Sequence, residues 1–177
     1  LTDVTGVQTC ALPILGHFYH LPVNVYGFST NAHTLDLQNG FERALNAAIP
    51  ALAGADELSG IGEMEAGVMS SYAQMVIDNE LAASVHRLRQ GIRVDEEALA
   101  VEVIASVMAG TRNFLGQKHT RQALRQGEML LTQLAERRSW EAWEHEGRTE
   151  MAARAQAEAT RILLEHQASP LDKAQER

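Results

Sequence analysis

The segment Gly60-Ile-Gly62-Glu63-Met-Glu65-Ala-Gly67 places two carboxylates among three glycines. Behind a strand and ahead of a helix, Gly-x-Gly invites a dinucleotide-binding reading. The third glycine of that fingerprint would fall at Glu65, and two carboxylates would repel a pyrophosphate, so nucleotide binding is excluded. Two readings remain. Glu63 and Glu65 face a cationic or protonated ligand from a loop, or they are solvated on a tight turn. Spacing alone favours the turn.

A second constellation runs from Asn31 to Glu42 (NAHTLDLQNGFE), where a strand end meets a helix start. Ligands of α/β folds bind at the C-terminal ends of strands. His33, Asp36, Gln38 and Glu42 can therefore reach a pocket there. The plainer reading makes Asp36 a helix cap and puts Glu42 on a wet helix face, and taken alone it is preferred. His17 and His20 are three apart, but Leu21-Pro22 follows and there is no Glu-x-x-His, so no metal site is expected. His119 follows Phe114-Leu-Gly116 and fits either a site residue or a helix N-terminus. His86, His145 and His166 fall on helix surfaces. Tyr26, Phe28, Phe41 and Tyr72 lie near the same strand ends. Aromatic faces stabilise quaternary ammonium groups, although core packing is their commoner role.

The elements that must position these residues alternate. Pro22 to Ser29 is short, β-branched and aromatic, as buried strands are. After the cap Asp36, Leu37, Phe41, Leu45, Ala48 and Leu52 recur at helical spacing and predict an inward apolar face; Pro50 is expected to kink or end the helix near its last turn, and Gly54 suits a C-terminal cap. Glu57 to Ile61 predicts a second strand. Ser70 or Ser71 caps the next helix, with Tyr72, Met75, Val76, Val85 and Leu88 as its apolar face and Gly91 as its end. Asp95-Glu96-Glu97 opens another helix, with Leu99, Val103, Ile104 and Val107 inward and Gly110 as its stop. Strand, helix, strand, helix argues for parallel strands with helical crossovers. The rest is helical or irregular. Leu124, Leu131 and Leu134 mark one helix, Ser139 caps a short Trp140–Trp143 helix, and Thr149 caps an Ala-rich helix carrying Met151, Ala155, Ile162 and Leu163. Ser169-Pro170 closes that helix, and the tail from Asp172 is expected to fray.

Composition sets the outer bounds. The chain has 177 residues, 45% apolar and 21% charged, as ordinary globular proteins have. A (β/α)8 barrel needs roughly 250 residues, so two strands here are a part of one at most. A formal net charge of -8 makes nucleic acid a poor partner. No apolar run reaches the roughly 18 residues of a membrane span. The single cysteine, Cys10, excludes an internal disulfide, and a reducing, cytoplasmic setting fits. The first residue is Leu, and residues 1–14 (LTDVTGVQTCALPI) resemble translated adapter sequence. They are expected to be non-native and the chain to be a piece of a longer one.

Several segments, in order, resemble one family. Asp36-Leu-Gln38-Asn-Gly40-Phe-Glu42 resembles its D-x-Q-x-G-[YF]-E segment. Ala51-Leu-Ala-Gly54-Ala with Gly60-Ile-Gly62 resembles its A-x-x-G-A…G-x-G stretch. Ser71-Tyr72-x-Gln74-x-Val76-x-Asp78-x-Glu80 is similar to its next helix. Gly91-Ile-x-Val94-Asp95-Glu96-Glu97 and Phe114-Leu-Gly116-x-x-His119-Thr120 are similar to the two segments after that helix. The family is the trimethylamine and glycine-betaine:corrinoid methyltransferases. Past Thr120 the match loosens, with Gly127–Thr132 standing where the family shows an aromatic-Pro stretch. Trp140-Glu-Ala-Trp143 and the helix ending in Ser169-Pro-Leu-Asp172 resemble the family's C-terminus.

The resemblance implies an α/β fold: the last strands and helices of a (β/α)8 TIM barrel over residues 15–116, then a helical C-terminal extension over 117–177, mostly helical as a fragment. It implies methyl transfer from a methylated amine to the Co(I) corrinoid of a partner protein, with no cofactor bound by this chain alone. Some members carry pyrrolysine. None stands in this segment, which favours a quaternary amine such as glycine betaine over trimethylamine. Tyr26, Asp36, Gln38, Glu42, Glu63, Glu65, Tyr72 and His119 are the residues expected at the substrate. The expected partners are the corrinoid protein and the amine, neither nucleic acid nor membrane, with room for a homo-oligomer. Against this stand a non-enzymatic helical interaction domain and another TIM-barrel enzyme acting on a small metabolite.

Overall fold

The computed structural model describes residues 6–167 and is mostly helical. Helix α1 spans Gly6–Tyr19 and packs on α2, Leu37–Leu52. Residues 6–14 form the first part of α1, which passes through residue 14 without a break and buries Pro13. Between the two helices lies β1, Asn24–Val25, which pairs parallel with β2, Glu57–Leu58. Backbone bonds extend the pairing: Asp56 and Glu57 N–H donate to Val23 O, Ser59 N–H to Val25 O, and Phe28 N–H to Ser59 O. Strand, helix and neighbouring parallel strand thus form the crossover unit that the alternation predicts.

Helix α2 starts where Asp36 accepts from the Asn39 N–H at 3.1 Å, as an N-cap should. It continues through Pro50 to Leu52, so the proline sits in the final turn without ending it. Its buried face differs from the predicted one. Asn39, Arg43, Ala47, Pro50 and Ala51 point inward. Leu37 is 88% exposed and Phe41 64%, and Leu45 and Leu52 are exposed beside them.

After β2 the chain forms an unpredicted hairpin. β3, Glu63–Met64, pairs antiparallel with β4, Met69–Ser70, around a 3-10 turn at Glu65–Gly67. Helix α3, Tyr72–Gln90, comes next; Ser71 caps it and Gly91 ends it at φ 69°. Its buried residues are Ala73, Gln74, Asp78 and Val85, whereas Tyr72, Met75 and Leu88 are exposed. Of the expected apolar stripe Val85 is buried and Val76 packs on the second core, but Gln74 and Asp78 share the buried face with them. The reason lies across the interface. Arg43 and Asp78 are 1% and 0% exposed and pair at 2.7 Å, so each needs the other inside. Burial pushes the Asp78 carboxyl up and the Arg43 guanidinium down; the Gly62 N–H, Arg43 and Gln74 oppose the shift at Asp78.

Phe28, Ala47, Ala51 and Val85 form one apolar core between the strand pair, α2 and α3. Ala73, Leu134 and Ala155 form a second, between α3 and α8, Met151–Glu165. The helix expected from Asp95 is broken at Ala100, φ 49°, into α4, Glu96–Leu99, and α5, Val101–Ala109; of the expected inward residues only Val107 is buried. α6 is Lys118–Arg125. Residues 127–138 are irregular, not the helix that Leu131 and Leu134 suggested. Glu80 on α3 accepts from Leu134 N–H at 2.9 Å, and Arg154 Nε donates to Leu134 O at 3.0 Å, which pins the segment from both sides. Ser139 caps α7, Trp140–His145, as expected, but α8 takes Glu150 as N-cap, without a side-chain bond, and not Thr149. Ser169-Pro170 and the tail lie outside the described residues. No described helix is long and apolar enough to cross a membrane.

Asp78→Ala leaves Arg43 buried without a counter-charge. The expected loss is about 3–5 kcal/mol of unfolding free energy, read from urea denaturation of the protein. A loss below about 1 kcal/mol would show that the guanidinium finds water instead.

Candidate functional site

Both parallel strands deliver their chain to the same end of the pair, and the loops beyond them are bonded to each other. Glu65 N–H donates to Ala32 O at 3.2 Å, and Ala66 N–H donates to Thr30 O at 2.9 Å. Glu42 holds the first loop from α2. Its Oε2 accepts from Thr30 Oγ1 at 2.7 Å and from Asn31 N–H at 2.8 Å; its Oε1 accepts from Gln38 Nε2 at 2.9 Å. Burial raises its pKa, but these donors outweigh it and hold the carboxyl below its ordinary range. Asp36 is likewise occupied by Thr34 Oγ1 at 2.7 Å and the Asn39 amide, and these bonds lower its pKa.

The second loop is held from behind. Gly62 N–H donates to Asp78 Oδ2 at 2.7 Å, and Arg43 Nη2 donates to Glu63 O. Arg43 Nη1 also donates to Phe28 O at 2.5 Å, so one guanidinium grips both loops. Gly62 has φ +80°, and a methyl group there would meet Met75 Cγ at 2.3 Å, so only glycine fits. The turn itself holds Glu65 and Ala66 at φ 50° and 52°.

Tyr26 and Glu63 meet across Gly67. A methyl group on Gly67, at φ +89°, would lie 3.3 Å from Tyr26 Oη and 3.4 Å from Glu63 Oε2. Glu63 Oε2 is shielded from solvent and accepts no hydrogen bond from the described residues. Tyr26 keeps 47% of its surface exposed. Beside them Glu65 Oε1 lies 3.8 Å from His33 Nδ1. The arrangement places a carboxylate oxygen and a phenol hydroxyl at the C-terminal ends of parallel strands, a grouping that suits a cation.

The model of one family, trimethylamine methyltransferase (MTTB), matches residues 6–177. The chain belongs to this family. It is 38% identical over 169 residues to a trimethylamine methyltransferase of Methanosarcina barkeri, covering 94% of this chain and 33% of that protein. It is 37% identical over 167 residues to the one of Methanosarcina thermophila, covering 94% and 34%. A glycine betaine methyltransferase of Desulfitobacterium hafniense is 30% identical over 173 residues, covering 94% and 36%. The chain thus spans about a third of the length of the curated relatives it matches.

Within the chain the expected site residues separate into three groups. Tyr26, Glu63 and Glu65 gather around the turn, with His33 beside them. Asp36, Gln38 and Glu42 lie at the first loop: Asp36 caps α2 and binds Thr34, Glu42 holds Thr30 and Asn31, and Gln38 Nε2 donates to Glu42. Tyr72 and His119 are elsewhere. Tyr72 opens on a groove of about 510 Å³ shared with Leu131 and Ile162. His119 Nε2 bonds the Glu97 carbonyl at 2.9 Å, beside Arg93 and Ala98. Arg43 and Asp78 were not anticipated. Their signal was present as polar i, i+4 pairs, Asn39–Arg43 and Gln74–Asp78, on two helices with apolar periodicity.

Glu42→Gln tests the first loop. The folded pKa of Glu42 lies below its unfolded value, so its contribution is present above the unfolded pKa and lost as pH falls through the folded one. The substitution is expected to cost about 1–2 kcal/mol at pH 7. It should cost progressively less below about pH 4, as denaturation midpoints across pH would show. A cost that stays constant with pH would mean the carboxylate charge plays no part.

Proposed function

We infer that the protein containing this segment transfers a methyl group from a methylated amine to the cobalt of a corrinoid carried by a partner protein. The observation that carries the reading is the unpartnered Glu63 oxygen facing Tyr26 across Gly67, within a chain of the trimethylamine methyltransferase family. A quaternary ammonium group has diffuse positive charge and no N–H to donate. A carboxylate oxygen that no described residue bonds, near the Tyr26 hydroxyl, can meet such a cation through charge alone. The strand–helix–strand unit, with its loops at the C-terminal strand ends, suits the last part of a (β/α)8 barrel with a helical extension.

In the reaction the C–N bond breaks and its electron pair stays on nitrogen, so a quaternary amine leaves as a neutral tertiary amine with no proton to move. The reduced corrinoid cobalt, a co-substrate on its own carrier, supplies the electron pair that binds the methyl carbon. Orientation and charge are left to the chain's residues. Positive charge on nitrogen disappears as the bond breaks. Glu63 and Glu65 therefore stabilise the bound amine more than the transition state, and their contribution belongs to binding. Trimethylammonium and a quaternary amine both leave as a neutral amine without a proton transfer, so the choice between the two substrate classes named among the relatives rests on a panel of methylated amines.

A panel of methylated amines, the full-length protein and a reduced corrinoid protein test this. Demethylation of at least one amine is expected, and none across the panel would overturn the reading. Glu63→Gln should raise KM about tenfold, with kcat kept within about threefold. Gly67→Ala, which presses on Tyr26 and Glu63 together, should do the same. A large fall in kcat with unchanged KM would place Glu63 in the chemical step instead.

A further inference from the structure

Glu63 and Tyr26 lie on separate loops, so their spacing depends on whatever ties the loops together. Three successive peptide groups around Glu63 are held. Gly62 N–H is bound by Asp78 Oδ2 at 2.7 Å, Gly62 O accepts from Ser71 N–H at 2.9 Å, and Glu63 O accepts from Arg43 Nη2. Arg43 Nη1 holds Phe28 O, two residues beyond Tyr26, and bonds Asp78 Oδ2 at 2.7 Å. Its Nε is turned by Asn39 Oδ1 at 3.0 Å. Asp78 is fixed in turn by Gln74 Nε2 at 2.8 Å.

We propose that Arg43, seated on Asp78, is a positioning residue that sets the distance between Glu63 and Tyr26 for the ammonium group without touching it. This rests on the reading that those two residues take the cation. A planar guanidinium can address both loop carbonyls and the carboxylate at once, and an ammonium on a flexible stem cannot. Lysine at position 43 keeps the charge beside Asp78 and gives up the fixed spacing. A structural ion pair would need only the charge.

The test uses the full-length protein with R43K, E63Q and the double variant. The readouts are the Kd for tetramethylammonium by calorimetry, KM and kcat for demethylation, and unfolding free energy. R43K is expected to raise Kd and KM about tenfold with little change in kcat, and to add less than about twofold in the E63Q background. Its cost to stability should be the same in both backgrounds, which separates positioning from general loosening. Effects on Kd that multiply in the double variant would overturn the proposal. So would normal tetramethylammonium binding by R43K when E63Q binds weakly. Normal binding by E63Q would remove the cation reading itself and the proposal with it. Should R43K not fold, N39A decides: it frees the Nε end and leaves the ion pair intact. A two- to threefold rise in Kd that vanishes with E63Q supports the proposal, and no rise overturns it.

Discussion

The mouth of this segment depends on one buried ion pair. Taking Arg43 and Asp78 out of water costs several kcal/mol for each charge. That cost is tolerable because both groups are nearly saturated: Arg43 donates to Asn39 Oδ1, Phe28 O, Glu63 O and Asp78, and Asp78 accepts from Gly62, Gln74 and Arg43. The partners come from α2, α3 and both strand-end loops. Each element must be in place before the pair is stable, and the pair holds each element in place. A well-packed hydrophobic replacement could match its stability. It could not fix two loop carbonyls in register. The pair therefore does more for the geometry of the mouth than for the depth of the folding well.

Local chemistry was readable from the sequence at several helix ends, though not at Thr149, which does not cap α8. Asp36, Ser71, Asp95 and Ser139 each accept from the third residue ahead, as N-caps do. Gly91 ends α3 where expected. The parallel pair joined by a helix came from alternation alone. Periodicity did not decide which face of a helix is covered. Leu37, Phe41, Leu45 and Leu52 recur correctly for a helix, yet Arg43 and Asn39 face the core. The apolar count on α2 outweighed a polar pair whose partner, Asp78, lies 35 residues away. The same blindness hid Gln74 and Asp78 on α3. The β3–β4 hairpin was missed because its strands are two residues each and carry no periodic signal. Residues 127–138 kept helical spacing but are held open by Glu80 and Arg154, which no local pattern reveals.

Helix α2 has two faces suited to burial, and the chain's own core covers one. The covered face carries Arg43, which can be satisfied only by this chain's loops and by Asp78. The other is a run of large apolar side chains at helical spacing, left exposed together with Phe18 and Leu15 of α1. A run of large apolar side chains left exposed on a helix calls for another surface to cover it. That pattern accords with a segment that spans a third of its relatives. It also explains why the polar face, and not the greasy one, defines the fold of this part. Apolar contacts are interchangeable and can wait for another surface, whereas a guanidinium's geometry cannot.

Residue type alone makes five carboxylates equals near the strand ends: Asp36, Glu42, Glu63, Glu65 and Asp78. Counting donors separates them. Asp36 and Asp78 have protein donors on their carboxylates, Glu42 has three, and all three residues serve the scaffold. Glu65 meets His33 at a distance, and Glu63 keeps an oxygen that is shielded and, among the described residues, unbonded. Shielding an acceptor without a donor is costly, which sets this oxygen apart from those of the other four carboxylates. The scaffold's carboxylates are spent so that the backbone holding Glu63 cannot relax toward a donor of its own. The unspent oxygen is thus a consequence of the same network that fixes the turn, and the position of Tyr26 beside it is set by the same guanidinium.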